Sequence, residues 1–385
     1  MTFGIVVLSW MLGLLFAIAP VGQSFDQRLS DWVWRLLDEP TAESRFVFVD
    51  IDERSLSEIG AWPWSRDQMA RLIEALQRAD ASEITVDAIF PDKRSGDRLL
   101  AETIGRQPTP VGSVTFALPG NEAVQTGVLP DSVGSNLCDQ GLFPEAIGFL
   151  GNTATLPLPA GHITPRVDDD GVVRAMPAFI CFEGEAYPAL ALAAFLRATG
   201  LIEERLTLVS GSWSEPTMSL RVGDALQIPL TLNGHLIVPF EGQASEYSRI
   251  SAADVLAGSA LPSGRWVVVG SSAVGLSDRV ATPLAPLEAG ALIHLRLLRG
   301  LLDDRLPSQM PAISSVLWLV AMLVCGCLGA IASMTALRWW VAPFAMIGFV
   351  LAALLSSLWL RSTGLIMIPL AGPIGAVGVA SVAAT

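Results

Sequence analysis

The chain has 385 residues, 51% of them hydrophobic and only 16% charged, with a formal net charge of −13; a soluble domain carries about 25% charge, so the composition excludes a disordered chain and argues against a wholly soluble one. All 37 acids lie between Asp26 and Asp304, and of the 24 bases only Arg338 and Arg361 lie beyond Arg305, so an acidic middle stands between nearly uncharged ends. Lys93 is the only lysine, and the lack of clustered bases argues against a nucleic-acid partner.

Residues 1–25 carry no charge. They read as an N-terminal transmembrane helix, because a cleaved signal peptide needs a basic start that is absent here. The small residues Ala17-Ile18-Ala19 keep cleavage open as the alternative. Asp31 to Leu37 follows as a short amphipathic helix, and Arg45 to Asp52 is a continuous apolar strand ending in two carboxylates. Ser55 with Glu58 reads as a capping box, and Ser65 with Gln68 as a second. The second opens a helix with Met69, Leu72, Ile73 and Leu76 at helical spacing. Ser82 to Phe90 is the next apolar strand, so strand, helix and strand form a βαβ unit with parallel strands. Asp97 to Gly105 is a helix and Pro110 to Leu118 a strand.

From Pro119 to Pro165, dense Pro and Gly predict loops with short strands. Asp168-Asp169-Asp170-Gly171 is a turn before a strand over Val172 to Phe182. Tyr187 to Thr199 has helical periodicity, and Asn233-Gly234 signals a hairpin between Ile228–Leu232 and Leu236–Phe240. Ser251 to Leu256 is a short helix, Arg265 to Gly270 a buried strand, and Ala289 to Leu302 a final helix. The class is α/β: one domain over 26–305, with a mainly parallel sheet plus inserted β-hairpins.

Beyond it, 311–337, 339–360 and 362–385 are uncharged runs, each longer than the roughly 20 residues that span a bilayer. Trp318, Trp339, Trp340 and Trp359 fall near their ends, as aromatic belts do. The expected layout is therefore four transmembrane α-helices, one N-terminal and three C-terminal, in the lipid bilayer of a bacterial inner membrane. A cytoplasmic N-terminus makes the domain extracytoplasmic; Arg338 and Arg361 then lie on opposite sides and do not decide orientation. No span holds Asp, Glu, Lys or His, which argues against a transporter.

Cys138 and Cys181 lie in the domain. In an oxidising compartment they can pair; two unrelated buried thiols are the equal alternative. Cys325 and Cys327 read as apolar packing residues. No Cys/His spacing indicates zinc, so no metal or other cofactor is expected.

The motifs come in a telling order. Val49 to Leu56 (VDIDERSL) opens the domain, followed by Gly60-Ala61-Trp62-Pro63-Trp64-Ser65-Arg66, then Val86-Asp87-Ala88-Ile89-Phe90, then Asp168 to Arg174 (DDDGVVR). Ala253 to Gly258, Val267 to Gly275 and Asp278 to Pro283 complete the series. Together they resemble the extracytoplasmic CHASE sensory domain of the second type, found in bacterial adenylate/guanylate cyclases, histidine kinases and Ser/Thr kinases. The resemblance covers nearly the whole domain, and G-x-W-P-W-x-R is its most specific piece. One departure is Ala289 to His294, where the family's "GVEIHA" loses its Glu. The other is the output: the family usually continues into a cytoplasmic catalytic domain where this chain reaches Thr385. The resemblance implies an unknown extracytoplasmic ligand, a homodimer, and a cytoplasmic signalling output, cyclase or kinase, either cut away or supplied by a separate partner.

Candidate ligand residues gather at strand ends: Asp50, Asp52, Asp87 and Asp92, with Trp62, Trp64, Arg66, Arg174 and Asp278. Ligands of parallel sheets bind in the crevice at the carboxyl ends of strands. Asp50 and Asp52 are expected to share a face, with Asp87 on the adjacent strand. Close carboxylates need a counter-ion: Arg66, Arg174, a metal or a cationic ligand. The competing reading is a structural ion-pair network with Arg54, Arg66 or Arg174, and tryptophan rings that plug a loop. His294 is expected to be packed or capping and His235 exposed. Gly270 to Gly275 lacks the Lys of a phosphate loop, and Ser271 lacks the context of a nucleophile; no catalytic residue is named. The leading function is a membrane-bound sensory input module without enzyme activity of its own. The alternatives are a membrane-tethered periplasmic metal-dependent hydrolase and a structural or assembly protein.

Overall fold

A computed structural model describes residues 11, 12, 15, 19–36, 42–211, 218–224, 226–240, 247–259, 261–276 and 279–308, with the side chain of Ser135 left out. The chain divides into two bodies. One contains 38–209 and 218–306; the other contains the remaining segments, whose main described element is the helix Pro20–Leu36. That helix begins eleven residues before the predicted Asp31 start, with Pro20 at its first turn, where a missing N–H costs nothing. Among the described residues no helix is long and apolar enough to cross a membrane. The predicted spans 311–337, 339–360 and 362–385, and most of 1–25, lie outside the described residues, as do Cys325 and Cys327.

The larger body is α/β, as expected. Four parallel strands form its central sheet, in the order Tyr247–Ser251, Glu43–Ile51, Trp266–Ser271, Glu83–Val86. The strand Glu43–Ile51 opens the domain, and its residues from Phe46 onward are buried, as the apolar run predicts. One sheet face packs Val47, Val49, Ile51, Val267 and Val269 against Met69, Leu72, Ile73 and Leu76 of the helix Arg66–Arg78. That helix carries the predicted capping box: Ser65 Oγ accepts from the Gln68 N–H, and Gln68 Oε1 accepts from the Ser65 N–H. On the other face lies the helix Ala291–Leu302, which closes the domain. A side chain at Gly270 would collide with Ala291, so Gly270 lets helix and sheet touch directly.

Several sequence expectations need correction. The central βαβ unit is parallel, but Trp266–Ser271 lies between its two strands. The helix predicted from Ser55 starts at Glu53 and is capped by Asp52. The strand over Val172 to Phe182 divides into Val173–Pro177 and Phe179–Phe182, which belong to different sheets. The Asn233-Gly234 turn forms, with Gly234 N–H bonded to Thr231 O, but its flanks do not make a hairpin together. Leu226–Leu230 pairs with Met218–Val222, and His235–Ile237 with Val173–Pro177. His235, expected exposed, is buried, because that pairing and the bond from its N–H to Thr231 Oγ1 tuck it in. His294 is packed inside the body, as expected.

The insert rich in Pro and Gly makes a second small sheet, with Gly112–Ala117 between Gly148–Leu150 and Ala160–His162. Cys138 and Cys181 form a disulfide across 43 residues, which settles the alternative left open above. Constraining a loop of that length contributes about 4 kcal/mol in the chain-entropy account.

Candidate functional site at the carboxyl edge of the parallel sheet

Asp50 is the penultimate residue of the opening strand and is fully buried. Its charge is met from both neighbouring strands. Arg249, on the edge strand, donates from Nε to Oδ2 at 2.6 Å, and its Nη2 is paired with the same oxygen. From the far side, Ser272 donates its backbone N–H to Oδ1 at 2.9 Å and its hydroxyl to Oδ2 at 2.7 Å. The Arg249 side chain stays half exposed, so the pair joins a dry carboxylate to a wet guanidinium.

Asp52 does not share that site. The strand ends at Ile51, and Asp52 becomes the N-cap of Glu53–Ile59, accepting from the Ser55 N–H at 2.8 Å and the Ser55 hydroxyl at 2.7 Å. Ser251, at the end of the edge strand, donates to the same oxygen at 2.9 Å. Burial alone would raise the Asp52 pKa, but the bonds from Ser55 and Ser251 outweigh it and hold the carboxyl below its ordinary range.

Asp87 follows the fourth strand. It is not on the strand adjacent to Asp50, because Trp266–Ser271 intervenes. Its backbone N–H bonds to Val269 O at 2.8 Å, and its carboxyl has only a long contact, 3.4 Å, from the Ser113 hydroxyl. Burial without a cation pushes its pKa up to about 6, against the small opposing effect of Ser113.

The remaining predicted residues divide among other structures. Arg66 is buried; its Nε donates to Asp97 at 3.0 Å and its Nη2 to the Asp92 carbonyl at 2.8 Å, with the guanidinium over the Phe90 ring. The Asp92 carboxylate is exposed and pairs with Arg94. Arg174 pairs with Asp168 and Asp170 around the DDDG turn. Neither arginine therefore serves Asp50, as the sequence had suggested. Trp64 is buried, donates Nε1–H to Gly60 O at 2.8 Å and stacks edgewise on Trp62, so the pair braces the loop before Ser65. Arg54 pairs with Glu58 and Asp254. Asp278 lies outside the described residues.

Two residues essential to this edge, Arg249 and Ser272, were not singled out by sequence. Ser272 sits in the Gly270–Gly275 turn, for which the sequence argues against phosphate-loop and nucleophile chemistry, and there it seats Asp50. Ser271 donates to the Ile51 carbonyl at 2.8 Å, a structural bond. Among the described residues no group of three or more His, Cys, Asp or Glu could hold a metal ion.

No curated protein and no solved structure matches the chain. The family model of the CHASE2 domain matches residues 4–331, well over half of the sequence. The strand-end carboxylates, the braced Trp-Pro-Trp loop and the DDDG turn all lie within the matched residues, and the chain belongs to the CHASE2 domain family.

Proposed function

We propose that this chain is the membrane-bound input module of a bacterial signal-transduction receptor. CHASE2 is a sensory domain family found in signalling receptors. The carrying observation is that the family match, 4–331, takes in most of the N-terminal hydrophobic segment, the whole α/β body and most of the first C-terminal hydrophobic run. The domain would face the extracytoplasmic side, sense a stimulus there, and pass it through four transmembrane helices to a cyclase or kinase in the cytoplasm. The Cys138–Cys181 disulfide supports an oxidising compartment. A homodimer in the bilayer is the natural assembly for such a receptor.

The hydrolase reading loses its centre in this structure. It would draw on the cluster of Asp50, Asp52, Asp87 and Asp92, of which Asp50 is neutralised by Arg249 and Asp52 caps a helix. Of the tentative ligand residues in the described region, Asp87 keeps a carboxylate with no cation beside it. We assign Asp50, Asp52, Trp62, Trp64, Arg66 and Arg174 to shaping the domain.

Reporter fusions test the topology. A reporter active only outside the cytoplasm should be active after Leu306 and silent after Thr385. Activity after Thr385 together with silence after Leu306 would overturn the orientation.

A further inference from the structure

Two adjoining cavities, of about 410 Å³ and 280 Å³, lie beside the helix Leu190–Ala198 and share Pro130, Asp131, Pro159 and Arg197. We infer that this groove binds a small zwitterion of the amino-acid type, its carboxylate on Arg197 and its ammonium on Asp131, and that it is the stimulus site of the domain. The inference rests on the sensory reading above and places its ligand away from the sheet edge.

The size suits a small ligand. The chemistry follows from what lines the space. Arg197 and Asp131 face the same groove with opposite charges, and among the described residues neither takes part in an ion pair. Glu83 feels the Arg197 charge without closing to an ion pair. Pro130, Pro157, Pro159 and Pro188 line the walls and have no backbone N–H to offer. An anionic group entering here therefore meets one strong donor, the Arg197 guanidinium, which grips a carboxylate in a two-pronged fork. Glu203 lines the second cavity. It adds a second negative charge, so basic amino acids are favoured over acidic ones.

The groove also has a floor and an outlet. Leu156 and Leu158 are buried in the same core that fills the face of the central sheet, so the apolar base is fixed. Arg197 sits in the last turn of a helix whose preceding residues are all buried. That helix packs against the closing helix Ala291–Leu302, from which the chain continues toward the first C-terminal hydrophobic run. A ligand that prefers one placement of Arg197 thereby favours one packing of these two helices, which is the differential affinity that signalling requires.

The test uses the full chain in lipid nanodiscs and calorimetric titration with five probes: L-arginine, L-leucine, L-glutamate, agmatine and N-acetyl-L-arginine. L-Arginine should bind saturably, L-leucine more weakly and L-glutamate not at all. Agmatine, without the carboxylate, and N-acetyl-L-arginine, without the ammonium, should each lose about tenfold or more. Arg197→Gln and Asp131→Asn should each weaken L-arginine about tenfold or more while leaving the ligand-free melting midpoint and the disulfide unchanged. No saturable binding of any probe, agmatine equal to L-arginine, or unchanged affinity in both variants would overturn the inference. These failures would leave the sensory reading standing; that reading fails separately, if a fused output ignores the domain.

Discussion

Arg45, near the start of the strand that opens the domain, reaches Asp303, at the end of the helix that closes it, with Nη1–Oδ1 at 2.6 Å and Nη2–Oδ2 at 2.9 Å. The same guanidinium holds Glu43 at 2.6 Å, and Arg299 lies 3.5 Å from Glu43. This ionic latch joins the points where the chain enters and leaves the body. The Asp303 carboxyl is held below its ordinary range chiefly by the Arg45 hydrogen bonds. Because Arg45 is 46% exposed, solvent screens the pair, and Arg45→Gln should cost only about 1 kcal/mol of stability by denaturant melts. Its larger effect should appear in signalling: the baseline output of a fused reporter should shift, and Asp303→Asn should shift it in the same direction.

The Asp50–Arg249 pair should behave differently. Asp50 is wholly buried, so removing its cation leaves a desolvated carboxylate behind. Arg249→Met is expected to destabilise by about 2 kcal/mol, less than for a fully buried pair because the guanidinium reaches water. Asp50→Asn added to Arg249→Met should recover part of that loss. A double variant no more stable than Arg249→Met in urea melts would show that the charge is not what matters.

Asp87 makes a pH prediction with a definite sign. Its pKa is raised to about 6 from the ordinary 3.8, so the folded state holds a proton that the unfolded chain has already released. Stability should therefore fall as pH rises from about 4 to 6 and change no further from this group above it. Asp87→Asn should stabilise the domain at pH 7.5, by up to about 3 kcal/mol, and leave it nearly unchanged at pH 4. Melting midpoints of both proteins at the two pH values give the answer.

Buried histidines act in the opposite direction. Burial pushes His162 down to about 3 and His294 down to about 4 from the ordinary 6.5, and His294 adds to the effect on His162. The unfolded chain binds protons below about pH 6.5 that the folded body refuses, so stability should drop on acidification from pH 7 to 5. His294→Leu should flatten that drop. An unchanged slope between pH 7 and 5 would count against neutral, packed histidines.

Sequence patterns revealed what is local. The Arg45–Asp52 strand, the Ser65–Gln68 capping box and the buried Trp266–Ser271 strand all follow from runs of apolar residues and short-range caps. Pairing choices escaped it. Tyr247–Ser251 carries Arg249, yet its sequence shows no clear signal, because it is a strand only by lying parallel to residues some 200 positions away. The insertion of Trp266–Ser271 between the two strands of the βαβ unit is invisible for the same reason. At the site, the carboxylates were found and their partners were not. Asp50 looked ready for Arg66 or Arg174, but Arg66 is taken by Asp97 and Arg174 by the DDDG turn. The Asp131–Arg197 groove left no motif, since its residues come together only when the helix Leu190–Ala198 folds beside the proline-rich loop.

The most direct measurement is the output of a nucleotide cyclase domain fused in frame after Thr385 and expressed in intact cells. Signal should pass from the α/β body through the membrane segments, so cyclic-nucleotide production should change when residues 42–306 are deleted, when the Arg45–Asp303 latch is opened, and when the stimulus is supplied outside. Production that stays the same under all three would contradict a sensory role for this chain.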